Sequence, residues 1–380
     1  MSGRPDIAVS TRERDDARRE VPLDQHAITR ESYRAIERYA PDRAPCRVEL
    51  SDNTNCWGVA PAVEEAIREA SVAAVTRYPN LYAASLKDAL GGYMGVAATR
   101  IVTGCGSDDI LDSAIRAFGE PGDAIACPDP SFAMIPIFAR MNGLRPITVP
   151  LTSAYDIDPD AMLATNARII YLCSPNNPTG ASLSREAVER VVEHAPGIVI
   201  IDEAYAEFAD VDLSPIALRS ERVLVARTMS KAFGLAGLRI GYATGAPALV
   251  AEVEKSRGPY KVNAIAERAA LAALGEGLEW ARARIAEAIA NRERLTSELE
   301  ARGLAPIHSK ANFVLAPISD ANARARHMRT LGVAVRPFEG LPQVSQSLRA
   351  SAGSALRISV GPWDMIESAL AALDATMREG

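Results

Sequence analysis

The chain has little of what metal centres and cross-linked scaffolds require. Its 380 residues include four His and five Cys. Cys46, Cys56, Cys105, Cys127 and Cys173 are scattered, odd in number and without a C-x-x-C pair. That predicts free thiols, a cytoplasmic location and no metal site. Basic residues are not in excess either, since 42 Lys and Arg against 48 Asp and Glu leave a net charge of -6. Neither the basic footprint of a nucleic-acid binder nor a pull toward anionic membranes is present. Continuous apolar runs of membrane-spanning length are missing, and no apolar segment of the signal-peptide kind follows Met1. A soluble protein with no nucleic-acid or membrane partner is expected.

What is present suits a large globular enzyme. Hydrophobic residues make up 48% and charged residues 24%, enough to bury a sizeable core. At roughly 150 residues per domain, the length predicts two or three domains. Residues 1–45 mix charge without apolar periodicity and predict a flexible N-terminal arm. From about residue 60, short β-branched strands alternate with helices: Pro61 to Val75, Leu81 to Tyr93, Asp109 to Phe118, Ser131 to Asn142 and Ser184 to His194 read as helices. Arg100–Thr103, Ala124–Cys127, Arg145–Val149, Arg168–Cys173, Ile198–Ile201, Val223–Ala226 and Arg239–Ala243 read as strands. This rhythm predicts an α/β fold with a mostly parallel central sheet flanked by helices, over residues 46–270. A long helical stretch, Ala264 to Arg302, breaks near Gly275 and Gly277. Strands at Asn312–Leu315, Val333–Arg336 and Ala355–Val360, with intervening helices, predict a smaller α+β domain over 271–380.

Four segments end strands of the large sheet, where α/β enzymes gather ligands. Thr103-Gly-Cys-Gly-Ser-Asp-Asp109 runs from a strand into a helix, and its glycines and free helix amides suit a phosphate. Cys173-Ser-Pro-Asn-Asn-Pro-Thr-Gly180 is a turn that can hold the Asn177 amide in place. Asp202 directly follows a buried strand, so its carboxylate needs a cation or a strong donor. Glu203 reads as a cap or surface partner, and Tyr205 points toward the same place as Asp202. Lys231 sits just past a strand among small and hydroxyl residues, where desolvation favours the neutral, nucleophilic amine. Arg239 can hold an anion. An imine-forming Lys, a carboxylate for a pyridine nitrogen, polar groups for a phenolic oxygen and a phosphate cradle are together the requirements of pyridoxal 5'-phosphate. His26, His194, His308 and His327 lie outside every motif and take no catalytic role.

These motifs, in this order, resemble those of the fold-type I, class I/II aminotransferases, and most those of the histidinol-phosphate aminotransferase subgroup. The pieces are Ser174-Pro-Asn-Asn-Pro-Thr-Gly180, Asp202-Glu-Ala-Tyr205 and Ser230-Lys-Ala-Phe-Gly-Leu-Ala-Gly-Leu-Arg239. Arg77-Tyr-Pro79, Pro259-Tyr-Lys-Val-Asn263 and Leu356-Arg-Ile-Ser-Val-Gly361 extend the likeness from about residue 48 to 378. The resemblance implies an aspartate aminotransferase-like fold and ping-pong transamination of histidinol phosphate, in histidine biosynthesis, with 2-oxoglutarate as acceptor. It implies Lys231 as the covalent and proton-transferring residue, Asp202 on the pyridine nitrogen, and Asn177 and Tyr205 on the phenolic oxygen. Ser107, Asp108, Ser230 and Arg239 would hold the phosphate, and Phe132 would stack on the ring. Tyr78 would reach the cofactor of a second copy, making a homodimer with shared sites. Asn53, Arg336 and Arg357 would meet the substrate.

One stretch departs from the subgroup. Asn53-Thr-Asn-Cys-Trp-Gly58 stands where Asn-Glu-Asn-Pro-aromatic-Gly is usual. Thr54 replaces a carboxylate near the substrate's ring, which opens the site to another donor such as an aromatic amino acid. A phosphoamino-acid decarboxylase on the same scaffold would use the same cofactor residues. A non-catalytic regulator would need an added DNA-binding domain, for which the first 45 residues are too short.

Overall fold

The computed structural model describes residues 28–34, 36 and 45–378. Of the expected arm over 1–45, only residues 28–34, 36 and 45 are described, and His26 lies outside the described residues. Twelve strands are present among those described: β1 Val48–Glu49, β2 Ile101–Cys105, β3 Ala124–Asp129, β4 Arg145–Pro150, β5 Ile169–Cys173, β6 Ile198–Asp202, β7 Val223–Thr228, β8 Ile240–Gly245, β9 Phe313–Pro317, β10 Val333–Ala334, β11 Arg336–Phe338 and β12 Ala355–Ser359.

Seven of them form one sheet in the order β2-β8-β7-β6-β5-β3-β4. Pairings from β7 through β6 and β5 to β3 and β4 are parallel. β8 alone runs antiparallel to both its neighbours. Strands β5 to β8 are buried along their whole length, as apolar β-branched runs covered on both faces require. Connections therefore leave the carboxyl ends of β2, β3, β5, β6 and β7 on one edge. Because β8 is reversed, its first residue, preceded by Arg239, returns to that same edge. β11, β12 and β9 make a second, antiparallel sheet, with Arg336 opposite Arg357. This mixed α/β architecture is the one expected. Among the described residues no helix is long and apolar enough to cross a membrane.

Several boundaries move. The helix read from Pro61 to Val75 is two, Pro61–Arg68 and Val72–Thr76, because Ser71 adopts an extended backbone between them. The second half is rich in β-branched residues, and Val72 and Val75 are exposed, so little packing holds the two halves in one helix. The helix expected at Asp109 starts three residues earlier, at Gly106, with Asp109 reaching back to accept from the Cys105 amide at 3.0 Å. Helix Pro247–Arg257 was not anticipated, although Ala246-Pro247 repeats the start signal of Ala60-Pro61. The single strand expected over Val333–Arg336 divides. Val333 pairs with Val48, while Arg336 pairs with Arg357 in the other sheet. The long helical stretch does break where its glycines stand, into Ala264–Leu274 and Leu278–Ala301.

Candidate active site

Above the carboxyl edge lies a cavity of about 630 Å³. All the expected site residues except Tyr78 line it, drawn from both sheets and from the segment after β1. Tyr78 stands apart, 84% exposed, with its ring stacked on Tyr260 at 4.9 Å.

At the phosphate-suited end, helix Gly106–Phe118 opens into the cavity with Ser107 and Asp108 in its first turn. Its leading amides have no partner within the helix and carry the positive end of its dipole. Two glycines make this approach possible. A Cβ on Gly241 would lie 2.2 Å from the Ser107 nitrogen, and one on Gly106 would lie 2.5 Å from an Arg239 guanidinium nitrogen. Gly106 also has φ +82°, which a side chain would strain. Arg239 itself has φ +54° and pairs with Asp108 at 3.3 Å. Thr228 accepts the Ser230 amide at 3.1 Å and lies 2.9 Å from the Ser230 hydroxyl, orienting it.

The carboxylate end is built from β5 and β6. Asp202 is 3% exposed. Its Oδ1 accepts the Ala204 amide at 3.0 Å and its Oδ2 accepts the Tyr171 hydroxyl at 2.9 Å. Burial pushes its pKa up to about 6, against the opposing pull of those two donors. The strong partner that Asp202 required is thus partly Tyr171, which sequence reasoning missed. Glu203 corrects another expectation. It is fully buried, not a surface partner, and binds Arg227 at 2.7 Å and the Leu213 amide at 2.7 Å. Strand alternation sends the two consecutive acids different ways.

Lys231 donates to the Asp52 carbonyl at 3.1 Å. Burial first, then the nearby Arg357 charge, lowers its pKa to about 8. Its amine is therefore poised for nucleophilic and proton-transfer work near neutrality. Arg357 is anchored by the Ser51 carbonyl at 2.8 Å and the Asn177 side-chain oxygen, with Phe313 and Phe338 near its plane. With its oxygen engaged by Arg357, Asn177 has its amide nitrogen to offer as a donor. Asn53 donates to the Tyr205 hydroxyl at 3.1 Å and is itself tied to Ser359 by its amide at 2.9 Å. Burial raises the Tyr205 pKa to about 12, so the phenol stays neutral. The first asparagine of the turn, Asn176, donates to the Pro130 carbonyl at 2.9 Å and accepts from Ser131 at 2.7 Å. It clamps the loop of Asn177 to the loop of Phe132.

Comparison with known proteins gives the family. The model of the family "Aminotransferase class I and II" matches residues 47–373. This chain belongs to that family. It is 37% identical over 364 residues to the histidinol-phosphate aminotransferase of Thermobifida fusca, covering 92% of this chain and 95% of that protein. It is also 37% identical over 319 residues to the aromatic amino acid aminotransferase of Rhodococcus jostii, covering 82% of this chain and 88% of that one. A crystal structure of histidinol-phosphate aminotransferase from Sinorhizobium meliloti in complex with pyridoxal-5'-phosphate superimposes with a TM-score of 0.78 at 27% identity, covering 91% of this chain and 99% of the other. As a class I and II aminotransferase the chain is an enzyme. A glycine-opened cradle, a buried carboxylate and a depressed lysine fit the demands of a phosphorylated pyridine aldehyde.

Proposed function

We propose that this aminotransferase binds pyridoxal 5'-phosphate and moves an amino group from histidinol phosphate, or a related anionic amine, to 2-oxoglutarate by ping-pong transamination. The observation that carries the reading is the pairing of Arg336 with Arg357. They lie directly opposite each other on β11 and β12 and line the same cavity as Lys231 and Asp202. Like charges set opposite one another cost stability, which anionic groups of a ligand would relieve.

Lys231 would hold the cofactor covalently and, once displaced, carry a proton from the substrate α-carbon. Asp202 would hold the ring nitrogen, Asn177 and Tyr205 the phenolic oxygen, and Phe132 the ring face. The amides of Ser107 and Asp108, with Ser230 and Arg239, would hold the phosphate. When bound, that cofactor supplies an electron-withdrawing ring that stabilises negative charge at the substrate α-carbon. Arg357 would fork onto one substrate anion, Arg336 would meet the second, and Asn53 would fix the wall beside them.

Residues 46–270 would carry the cofactor and 271–380 would close the cavity, as supported by its lining from both parts. Exposed Val72, Val75, Leu81 and Tyr78 support a homodimer in which Tyr78 reaches the second copy's cofactor. A place in histidine biosynthesis and a cytoplasmic location follow the substrate reading. An aromatic amino acid is the second reading, favoured by Thr54, a neutral residue, on the cavity wall. The test mixes the pyridoxal form of the protein with histidinol phosphate, Phe, Tyr and Asp, and follows conversion to the pyridoxamine form by absorbance. Response to histidinol phosphate supports the first reading. Response to Phe or Tyr with silence toward histidinol phosphate replaces it with the second.

A further inference from the structure

We propose that Tyr171 is a positioning residue that orients Asp202 toward the cofactor and keeps its carboxylate ionised. The proposal rests on the pyridoxal phosphate reading above.

Register explains the contact. Cys173 pairs with Asp202 and Tyr171 with Ile200, so Tyr171 stands one step behind Asp202 on the same sheet face. Its side chain is wholly buried in that face, among Ile125, Ile169 and Ile200. Phenylalanine would satisfy such packing, and a hydroxyl there is unfavourable unless partnered. The partner is Asp202 Oδ2, at 2.9 Å. With the Ala204 amide on Oδ1 at 3.0 Å, both oxygens are pinned and the carboxylate plane is locked where Asp202 lines the cavity.

The surrounding charges make the donor consequential. Asp108 from the helix start and Glu203 from the adjoining loop both oppose ionisation of Asp202. Burial holds Tyr171, Cys173 and Tyr205, the other titratable groups around it, in their neutral forms. Tyr171 and the Ala204 amide are the groups that favour the charged form. A protonated Asp202 cannot pair with a protonated ring nitrogen, so loss of the hydroxyl shifts cofactor binding to higher pH.

The experiment measures cofactor dissociation constants against pH for the parent, Tyr171→Phe and Asp202→Asn proteins, by absorbance of the bound form. In Tyr171→Phe the acid limb of binding should move up by about one pH unit, with affinity unchanged well above it. Site-specific 3-fluorotyrosine at 171, a stronger donor, should move the limb down, and it keeps the test open if Tyr171→Phe folds poorly. Unmoved acid limbs in these proteins would overturn the proposal, even if Tyr171→Phe lowered the melting temperature, because that is what packing alone would do. Asp202→Asn separates the two readings. If the parent binds no pyridoxal phosphate, the cofactor reading fails; if the parent binds it and Asp202→Asn binds it equally well at every pH, Asp202 does not hold the ring nitrogen and the proposal falls with that role. If Asp202→Asn loses affinity while the acid limb of Tyr171→Phe stays where the parent's is, only the role of Tyr171 falls.

Discussion

Lys231 gives the most direct measurement of the site's electrostatics. Burial and the Arg357 charge lower its pKa from 10.5 to about 8. At pH 7 an ordinary lysine is neutral in about 0.03% of molecules, whereas one at pKa 8 is neutral in about 10%, roughly a 300-fold gain in reactive amine. The assay is limited acetylation of the cofactor-free protein across a pH series, with Lys231 followed by peptide mass spectrometry beside an added unstructured lysine peptide. The sign follows from which form reacts. Modification of Lys231 should rise about tenfold per pH unit and level off near pH 8, while that of a free lysine side chain keeps rising. Replacing Arg357 by Met removes one of the causes, and the plateau should then move to higher pH. Desolvation is the larger cause, so the plateau should still fall short of an ordinary lysine's. A Lys231 profile that climbs in parallel with the reference peptide through pH 10 would refute the desolvated amine, whatever cofactor the enzyme uses.

Two further outcomes test the frame around the site. Arg227→Met leaves Glu203 buried and without its cation, which should cost about 3–5 kcal/mol in denaturant unfolding. Glu203 would then hold its proton further above 4.5, so the defect should shrink on acidification and grow as pH rises. Gly241→Ala places a Cβ 2.2 Å from the Ser107 nitrogen. It should destabilise by about 1–3 kcal/mol and weaken cofactor affinity together, since the helix start must move. Unchanged affinity would show that this helix end does not hold the phosphate.

Much of the site could be read from the chain because its chemistry is local. Lys231, Asp202 and Asn177 each fall at or a few residues past the end of a buried strand, and such strands end where a parallel sheet collects its ligands. Gly106 and Gly241 belong to the same logic, since only glycine admits the helix end against β8. The helix at Pro247 carries local signals too, an Ala-Pro start and a Gly258 stop.

Composition and strand rhythm alone determined an α/β protein with a strand-end site, and the motif order determined its family. Tertiary structure decided the rest. It set Val48 beside Val333 and Arg336 opposite Arg357, pairings between segments distant in sequence. It sent Asp202 to the cavity and Glu203 beneath it to Arg227, although the two acids are adjacent. It brought the Tyr171 hydroxyl to Asp202. The physical reason is common to all three. Local pattern tells a residue that it is buried, but strand register and sheet order choose which neighbour it meets there.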